Sequence, residues 1–296
     1  MAARLLGYYM RKLTVYNPAA GKGNASRGRD CYHTTAPGDC RRFVKEACAQ
    51  DPHTHFTVCG GDGTLSEAVC GVMDAGAGKT ATLTAFPCGS GNDTVKSFPT
   101  DRAGQTDELD VIRVGDRYGI NMINIGFDCN VVTSAARFKR LLRLSAGKLT
   151  YLLGVMTEFF KPFGEEFRID AVLEDGTPFS YHGPTLLCAV CNGQWCGGSF
   201  HSSPCSDMSD GVLELIVVKK TSRLNFLKLV GRYQNGTLIG ENGRINPEKY
   251  ASIVSCHRIR SVKISGMKRV CTDGEVEEMT ETEISVLPRA IQYTYS

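Results

Sequence analysis

Along the first hundred residues, short apolar runs alternate with glycine-rich loops and with stretches whose apolar positions recur every three or four residues. Lys12–Tyr16 predicts a strand, followed by the loop Asn17-Pro-Ala-Ala-Gly-Lys-Gly23 and a polar stretch to Thr34. Asp39–Gln50 predicts a helix, with Phe43, Val44, Ala47 and Cys48 on one face and Pro37-Gly38 at its start. Residues 56–59 read as a second strand ending in Gly60-Gly-Asp-Gly-Thr64, with a helix over about 65–73. Residues 82–86 read as a third strand, leading into Pro87-Cys-Gly-Ser-Gly-Asn-Asp93. Such alternation predicts a parallel sheet in an α/β domain.

The pattern changes near residue 109. Residues 109–114, the turn Gly115-Asp116 and residues 118–125 read as a β-hairpin. Helical stretches over 130–144 and 149–160 follow, then strands over 167–173, 185–191, 212–218, 258–265 and 283–287, with one helix over 224–233. This predicts a second, mostly antiparallel β domain. The expected division is 1–108 (with 288–296) and 109–287. No internal repeat or low-complexity segment interrupts it.

At 296 residues the chain has room for two domains, and 42% hydrophobic against 22% charged residues excludes global disorder. The net charge of +3 gives no bulk argument for nucleic acid, and none is expected as a partner. No run approaches the roughly 18 apolar residues of a membrane span. Residues 1–9 read as an extension ahead of the first strand, too short and broken for a signal peptide. Thirteen cysteines are scattered without a dense framework, which suggests free thiols in a reducing cytoplasm. A zinc site from Cys188 and Cys191 is disfavoured, because positions i and i+3 of a strand face opposite sides.

The candidate chemistry lies in the three glycine-rich loops. Each follows a strand of one parallel sheet, so all three converge on one edge. Glycines admit close approach of a ligand, and free N–H groups at loops and helix starts favour phosphate. With Asp62 and Asp93 beside them, they point to a nucleotide-phosphate site. Gly76-Ala-Gly-Lys-Thr80 is not a P-loop: Met73 stands where the pattern needs glycine, and the strand and helix come in the wrong order. No Gly-x-Gly-x-x-Gly opens a helix after a strand.

These loops resemble the diacylglycerol kinase catalytic domain, and more narrowly the soluble bacterial diacylglycerol kinases and YegS-like lipid kinases, relatives of sphingosine kinases. The resemblance rests on Asn17-Pro-Ala-Ala-Gly-Lys, Gly60-Gly-Asp-Gly-Thr-Leu-Ser-Glu67 and Pro87-Cys-Gly-Ser-Gly-Asn-Asp93. It continues through Asn124-Ile-Gly-Phe-Asp128, Asn192-Gly193 with Gly197-Gly198, Pro204-Cys-Ser-Asp-Met-Ser-Asp-Gly211 and Asp273-Gly-Glu275. Ser90 and Ser206 depart from the family's commoner Thr and Ala.

The resemblance implies a Rossmann-like α/β nucleotide-binding domain followed by a β-sandwich-like domain, with the C-terminal tail returning to the first. It implies ATP held by Asn17, Thr34, Gly60, Gly61, Asp62, Gly63, Thr64, Ser66, Ser90, Asn92 and Asp93, with Asp62 acting on magnesium or its waters. Asp273 and Glu275 would supply the general base and a metal contact, with the base left open between them. Asp207, Asp210 and a carbonyl near Val212 would hold a structural Mg2+. The expected activity is an ATP- and Mg2+-dependent lipid kinase converting diacylglycerol to phosphatidic acid, with long-chain-base, ceramide or NAD kinase, or a non-catalytic nucleotide-binding regulator, as alternatives. The basic, leucine-rich stretch 137–148 suggests an anionic membrane surface as partner. Cytoplasmic placement, peripheral to the inner face of the membrane, and a homodimer complete the expectations.

Overall fold

In the computed structural model, which describes residues 10–20, 31–142, 148–162 and 164–296, the first apolar runs become a parallel sheet. Its strands are β1 (Lys12–Tyr16), β2 (Cys31–His33), β3 (His55–Gly60) and β4 (Thr82–Pro87), in the spatial order β2-β1-β3-β4. Helices α1 (Asp39–Gln50) and α2 (Asp62–Asp74) connect β2 to β3 and β3 to β4, and the short α3 (Asp93–Lys96) follows β4. Val15, Phe56, Val58 and Leu83 from the strands pack with Val44 and Val69 from the helices, all essentially sealed from solvent. Burial of such side chains contributes roughly 1.5–3 kcal/mol each.

The remaining strands are β5 (Thr106–Val114), β6 (Arg117–Gly119), β7 (Met122–Gly126), β8 (Glu165–Leu173), β9 (Pro178–Cys191), the two-residue β10 (Trp195–Cys196) and β11 (Phe200–His201), β12 (Leu213–Lys219), β13 (Val254–Ser265), β14 (Arg269–Thr272), β15 (Glu275–Glu278) and β16 (Glu281–Thr294). The helices here are α4 (Phe127–Leu142), α5 (Lys148–Phe160) and α6 (Arg223–Gln234). Within this half, strand pairing is antiparallel. Strand β12 is apolar on both faces for a reason: Leu213, Leu215 and Val217 enter the sandwich core, while Ile216 and Val218 meet α6 through Phe226 and Leu229. An α/β half and a sandwich-like half are therefore both present, as the sequence predicts.

Strand β16 joins them. It pairs with β13 over residues 281–285, with β5 along most of its length, and in parallel with β4 through Gln292↔Thr82 and Tyr293↔Leu83. Tyr293 is fully buried, and its hydroxyl accepts a hydrogen bond from the Ala85 N–H at 3.1 Å.

Two features differ from the sequence pattern. The polar stretch before Thr34 contains β2, paired in parallel with β1. The expected long strand over 118–125 is broken at Ile120-Asn121: β6 pairs with β5, whereas β7 pairs with β9 and β14. The break has a local cause, because the N–H groups of Ile120, Asn121 and Met122 all donate to the Asp273 carboxylate instead of to a neighbouring strand.

Candidate functional site

The loops after β1, β3 and β4 enclose a cleft of about 600 Å3, closed on one side by Thr34–Pro37 and on another by Glu275 from the β-rich half. The glycines are required by contact between two loops. A Cβ on Gly89 would lie 2.5 Å from the Gly61 Cα, so the two backbones touch where any side chain would separate them. Helix α2 begins at Asp62, directing free N–H groups and the positive end of its dipole at the cleft.

Of the residues singled out in the sequence, Asn17, Thr34, Gly61, Asp62, Gly63, Thr64, Ser90 and Glu275 line this cleft. Asn17 Nδ2 donates to Thr64 Oγ1 at 2.9 Å, fixing the first loop to the start of α2. Asp62 Oδ1 accepts from the Thr94 N–H at 2.9 Å, which ties the second loop to the third.

Gly60, Ser66, Asn92, Asp93 and Asp273 are not on the cleft wall. Gly60 packs beneath it, where a Cβ would meet the Thr64 side chain at 2.5 Å. Asn92 has φ +52° and closes the third loop: its Oδ1 accepts from the Gly89 N–H and its Nδ2 donates to the Gly89 carbonyl. The Asp93 carboxylate accepts from Lys96 Nζ at 2.9 Å and from the Gly198 N–H at 2.8 Å, clamping the loop to the β10–β11 hairpin. Lys96 also donates to the Gly198 carbonyl at 2.7 Å.

Asp273 is engaged on both oxygens. Oδ1 accepts from Asn121 and Met122, and Oδ2 from Ile120 and Ser66 Oγ, all within 3.0 Å. Burial pushes its carboxyl above the usual range, against the pull of these four donors. Glu275 stands free of such a cage. It is half exposed, 3.7 Å from Arg117, and burial followed by the nearby Glu67 raises its carboxyl.

Glu67 belongs to the quoted motif but carries no role in the sequence reading. It lines the cleft and caps α1, accepting from the N–H groups of Gly38 and Cys40 at 2.8 and 3.1 Å. Its position one turn after Thr64 on α2, on the same face, is the signal that could have found it. Thr35 and Pro37 also line the cleft. Thr35 is held there by Asp39, which accepts from the Thr35 N–H at 2.9 Å and the Tyr32 hydroxyl at 2.8 Å, and whose carboxyl these bonds hold well below its ordinary range.

The Asp207–Val212 turn, where the resemblance implies a structural Mg2+, is closed by its own hydrogen bonds. Asp207 Oδ1 accepts from the Ser209 N–H and hydroxyl, and Asp210 Oδ1 accepts from the Val212 N–H. The remaining Asp210 oxygen is met by the Arg258 guanidinium at 2.8 Å. Among the described residues no group of three or more His, Cys, Asp or Glu side chains is gathered for a metal. Arg258, which also pairs with Glu174, meets Asp210, while Asp207 and the buried Asp110 add further negative charge around the turn. All thirteen cysteines are free thiols.

A second, apolar pocket of about 50 Å3 lies beneath α5 and α6, lined by Phe127, Val155, Leu187, Phe226, Leu229 and neighbours, with Asp128 as its carboxylate. Burial alone raises the Asp128 carboxyl to about 7.

A cleft of glycine-rich loops bounded by a carboxylate from a sandwich-like half suits the class that couples a diacylglycerol-kinase-type domain to an NAD-kinase-like β-sandwich. Residues 11–125 match the diacylglycerol kinase catalytic domain, and residues 121–294 match the YegS C-terminal NAD kinase beta sandwich-like domain. The chain belongs to this YegS-like lipid kinase family. A probable YegS-like lipid kinase of Pectobacterium atrosepticum is 29% identical over 63% of this chain and 63% of its own length. One from Klebsiella pneumoniae is 31% identical over 62% and 61%. The match thus spans less than two thirds of these curated relatives. The crystal structure titled as a diacylglycerol kinase of Bacillus anthracis superposes with a TM-score of 0.68 at 24% identity, covering 97% of each chain. Among the described residues no helix is long and apolar enough to cross a membrane.

Proposed function

We propose that the protein transfers the γ-phosphoryl group of Mg-ATP to the hydroxyl of a membrane lipid, diacylglycerol being the acceptor favoured here. The observation that carries this reading is the cleft itself: backbone-lined glycine loops large enough for a nucleotide, with a carboxylate from the other half reaching in. Its carboxylates support a divalent cation: Asp62, Glu67 and Glu275 line it, and beside a polyanionic triphosphate a bound cation would offset their repulsion. When bound, the metal would neutralise phosphate charge, and Asp62 is the residue best placed to hold it or its waters.

In this reading the α2 N-terminus and the Gly61–Thr64 backbone bind and orient the phosphates. Glu275 takes the proton of the acceptor hydroxyl as the hydroxyl oxygen bonds to the γ-phosphorus and the bond from that phosphorus to the departing ADP breaks. Asp273 is a positioning residue: it fixes the strand end from which Glu275 projects. The apolar pocket with Asp128 suits a lipid acceptor better than a dinucleotide. At about 50 Å3 it holds only a few methylenes, so a full acyl chain needs more room than the pocket offers.

The test is transfer of label from γ-labelled ATP to a panel of diacylglycerol, ceramide, long-chain base and NAD, with and without Mg2+. Label in phosphatidic acid, Mg2+-dependent and reduced at least hundredfold in Glu275→Gln, is the expected result. Label in NAD alone, or none on any acceptor, would overturn it.

A further inference from the structure

On the edge of the β-rich half, α4, α5 and the segment around β14 enclose a polar cavity of about 360 Å3 that shares no residue with the cleft. Its charged lining is Arg137, Lys161, Lys268 and Arg269 against Glu158 and Glu165. Both acids are already met. Lys161 Nζ lies 2.6 Å from Glu158, which also accepts from Ser134 Oγ, and Lys268 Nζ lies 3.5 Å from Glu165. Among the described residues, Arg269 donates only to the neutral Asn130 Oδ1, at 3.3 Å, and Arg137 has no carboxylate partner. Two guanidiniums thus face a concavity that lacks an acid to balance them. Their planar forks match the oxygens of a phosphate group.

An apolar surface continues from this cavity. Phe160 is 70% exposed and Leu224 63% exposed, with Met156 and Leu227 exposed beside them. Met156 and Phe160 are one turn apart on α5, as are Leu224 and Leu227 on α6. Arg223 holds the two helix ends together by donating to the carbonyls of Phe159 and Lys161 at 3.0 and 3.2 Å. Lys161 links patch and cavity, following Phe160 in the chain and lining the cavity wall. Large exposed apolar side chains next to unbalanced cations are complementary to one kind of surface, a bilayer bearing phosphate headgroups.

We propose that this edge docks on an anionic phospholipid bilayer, with a headgroup phosphate seated between Arg137 and Arg269, and Phe160 and Leu224 at the acyl boundary. This concerns where the protein sits and is independent of phosphoryl transfer. Most of the basic stretch 137–148 from which the sequence suggests membrane contact lies outside the residues whose side chains the structure describes. Here Arg137 alone comes from that stretch, and it is joined by Lys161, Lys268 and Arg269. Docking in this orientation also sets the α5–α6 seam, beneath which the apolar pocket lies, against the lipid.

The test is co-sedimentation with vesicles of phosphatidylglycerol and phosphatidylcholine, lacking diacylglycerol and nucleotide, across a salt series. Each exposed cation near such a surface is worth roughly fivefold in binding. Arg137→Gln/Arg269→Gln is therefore expected to bind anionic vesicles at least tenfold more weakly at low salt, with the difference shrinking as salt rises. Phe160→Ser/Leu224→Ser should weaken binding at every salt concentration, with its melting temperature unchanged. Equal binding of wild type to neutral and anionic vesicles would overturn the proposal. So would both variants binding like wild type, or Phe160→Ser/Leu224→Ser abolishing a dimer in sedimentation velocity while vesicle binding stands. A failure of the kinase reading would appear separately, as absent phosphoryl transfer with vesicle binding intact.

Discussion

Gly89 and Asp128 show how single atoms set this protein's chemistry. A methyl group at position 89 would collide with the Gly61 Cα and force two cleft-lining loops apart. Gly89→Ala is expected to lower nucleotide affinity at least tenfold in calorimetric titration, with little change in melting temperature, since both loops lie outside the core. Asp128 lies among apolar side chains with its carboxyl raised by burial from 3.8 to about 7. The sign follows from linkage. Below about pH 4 the proton is bound in both folded and unfolded chains, so Asp128 adds no penalty. As pH rises towards 7 the unfolded chain releases it and the folded chain keeps it, so stability falls, levelling off above 7. Asp128→Asn should remove this slope. Urea unfolding is expected to show the variant gaining on wild type by roughly 2–4 kcal/mol between pH 4 and pH 8. A gain independent of pH would mean that the carboxyl does not titrate in this window.

Asp273 decides the fate of a whole element. By drawing three successive N–H groups to its carboxylate it ends β6 and starts β7 on another partner, at the cost of a backbone with φ +48° at its own position. Asp273→Asn presents one carbonyl oxygen and an NH2 group to four donors. It is expected to destabilise by about 2–4 kcal/mol in denaturant titration, while Glu275→Gln leaves stability within about 0.5 kcal/mol. The same example shows what sequence can and cannot reveal. Strands β1, β3 and β4, helix α1 and the three loops are legible because their signals are local: apolar runs, a 3.6-residue period, and glycines where backbone must face a ligand. The break at Ile120-Asn121 is not, because its cause lies about 150 residues downstream. Strands β2, β10, β11, β14 and β15 are two to four residues long, too short to carry a period of their own. The same holds for side-chain roles. The motif places Asp93 and Ser66 at the nucleotide, whereas their partners Gly198 and Asp273 come from the other half of the chain.

At the scale of the molecule, β16 makes the two halves one sheet, and its far end is buried as part of the first core. Heat is therefore expected to unfold the chain in a single calorimetric transition. Tyr293→Ala, which empties a fully buried site, should lower that one transition by roughly 3–5 kcal/mol of stability. Two separated transitions, with only the first shifted, would show that the halves melt independently. The pairing of β16 with β5 is interrupted once, between Leu287 and Ile291, where Arg289 takes φ +50°. There the Asp110 carboxylate grips the N–H groups of Arg289 and Gly211, each at 2.6 Å. Because β16 runs through both halves, this bulge is the wrist of the molecule. Any pivot that carries Glu275 towards or away from the glycine loops must twist the strand at that point, and Asp110 is the latch that such a pivot has to strain or release.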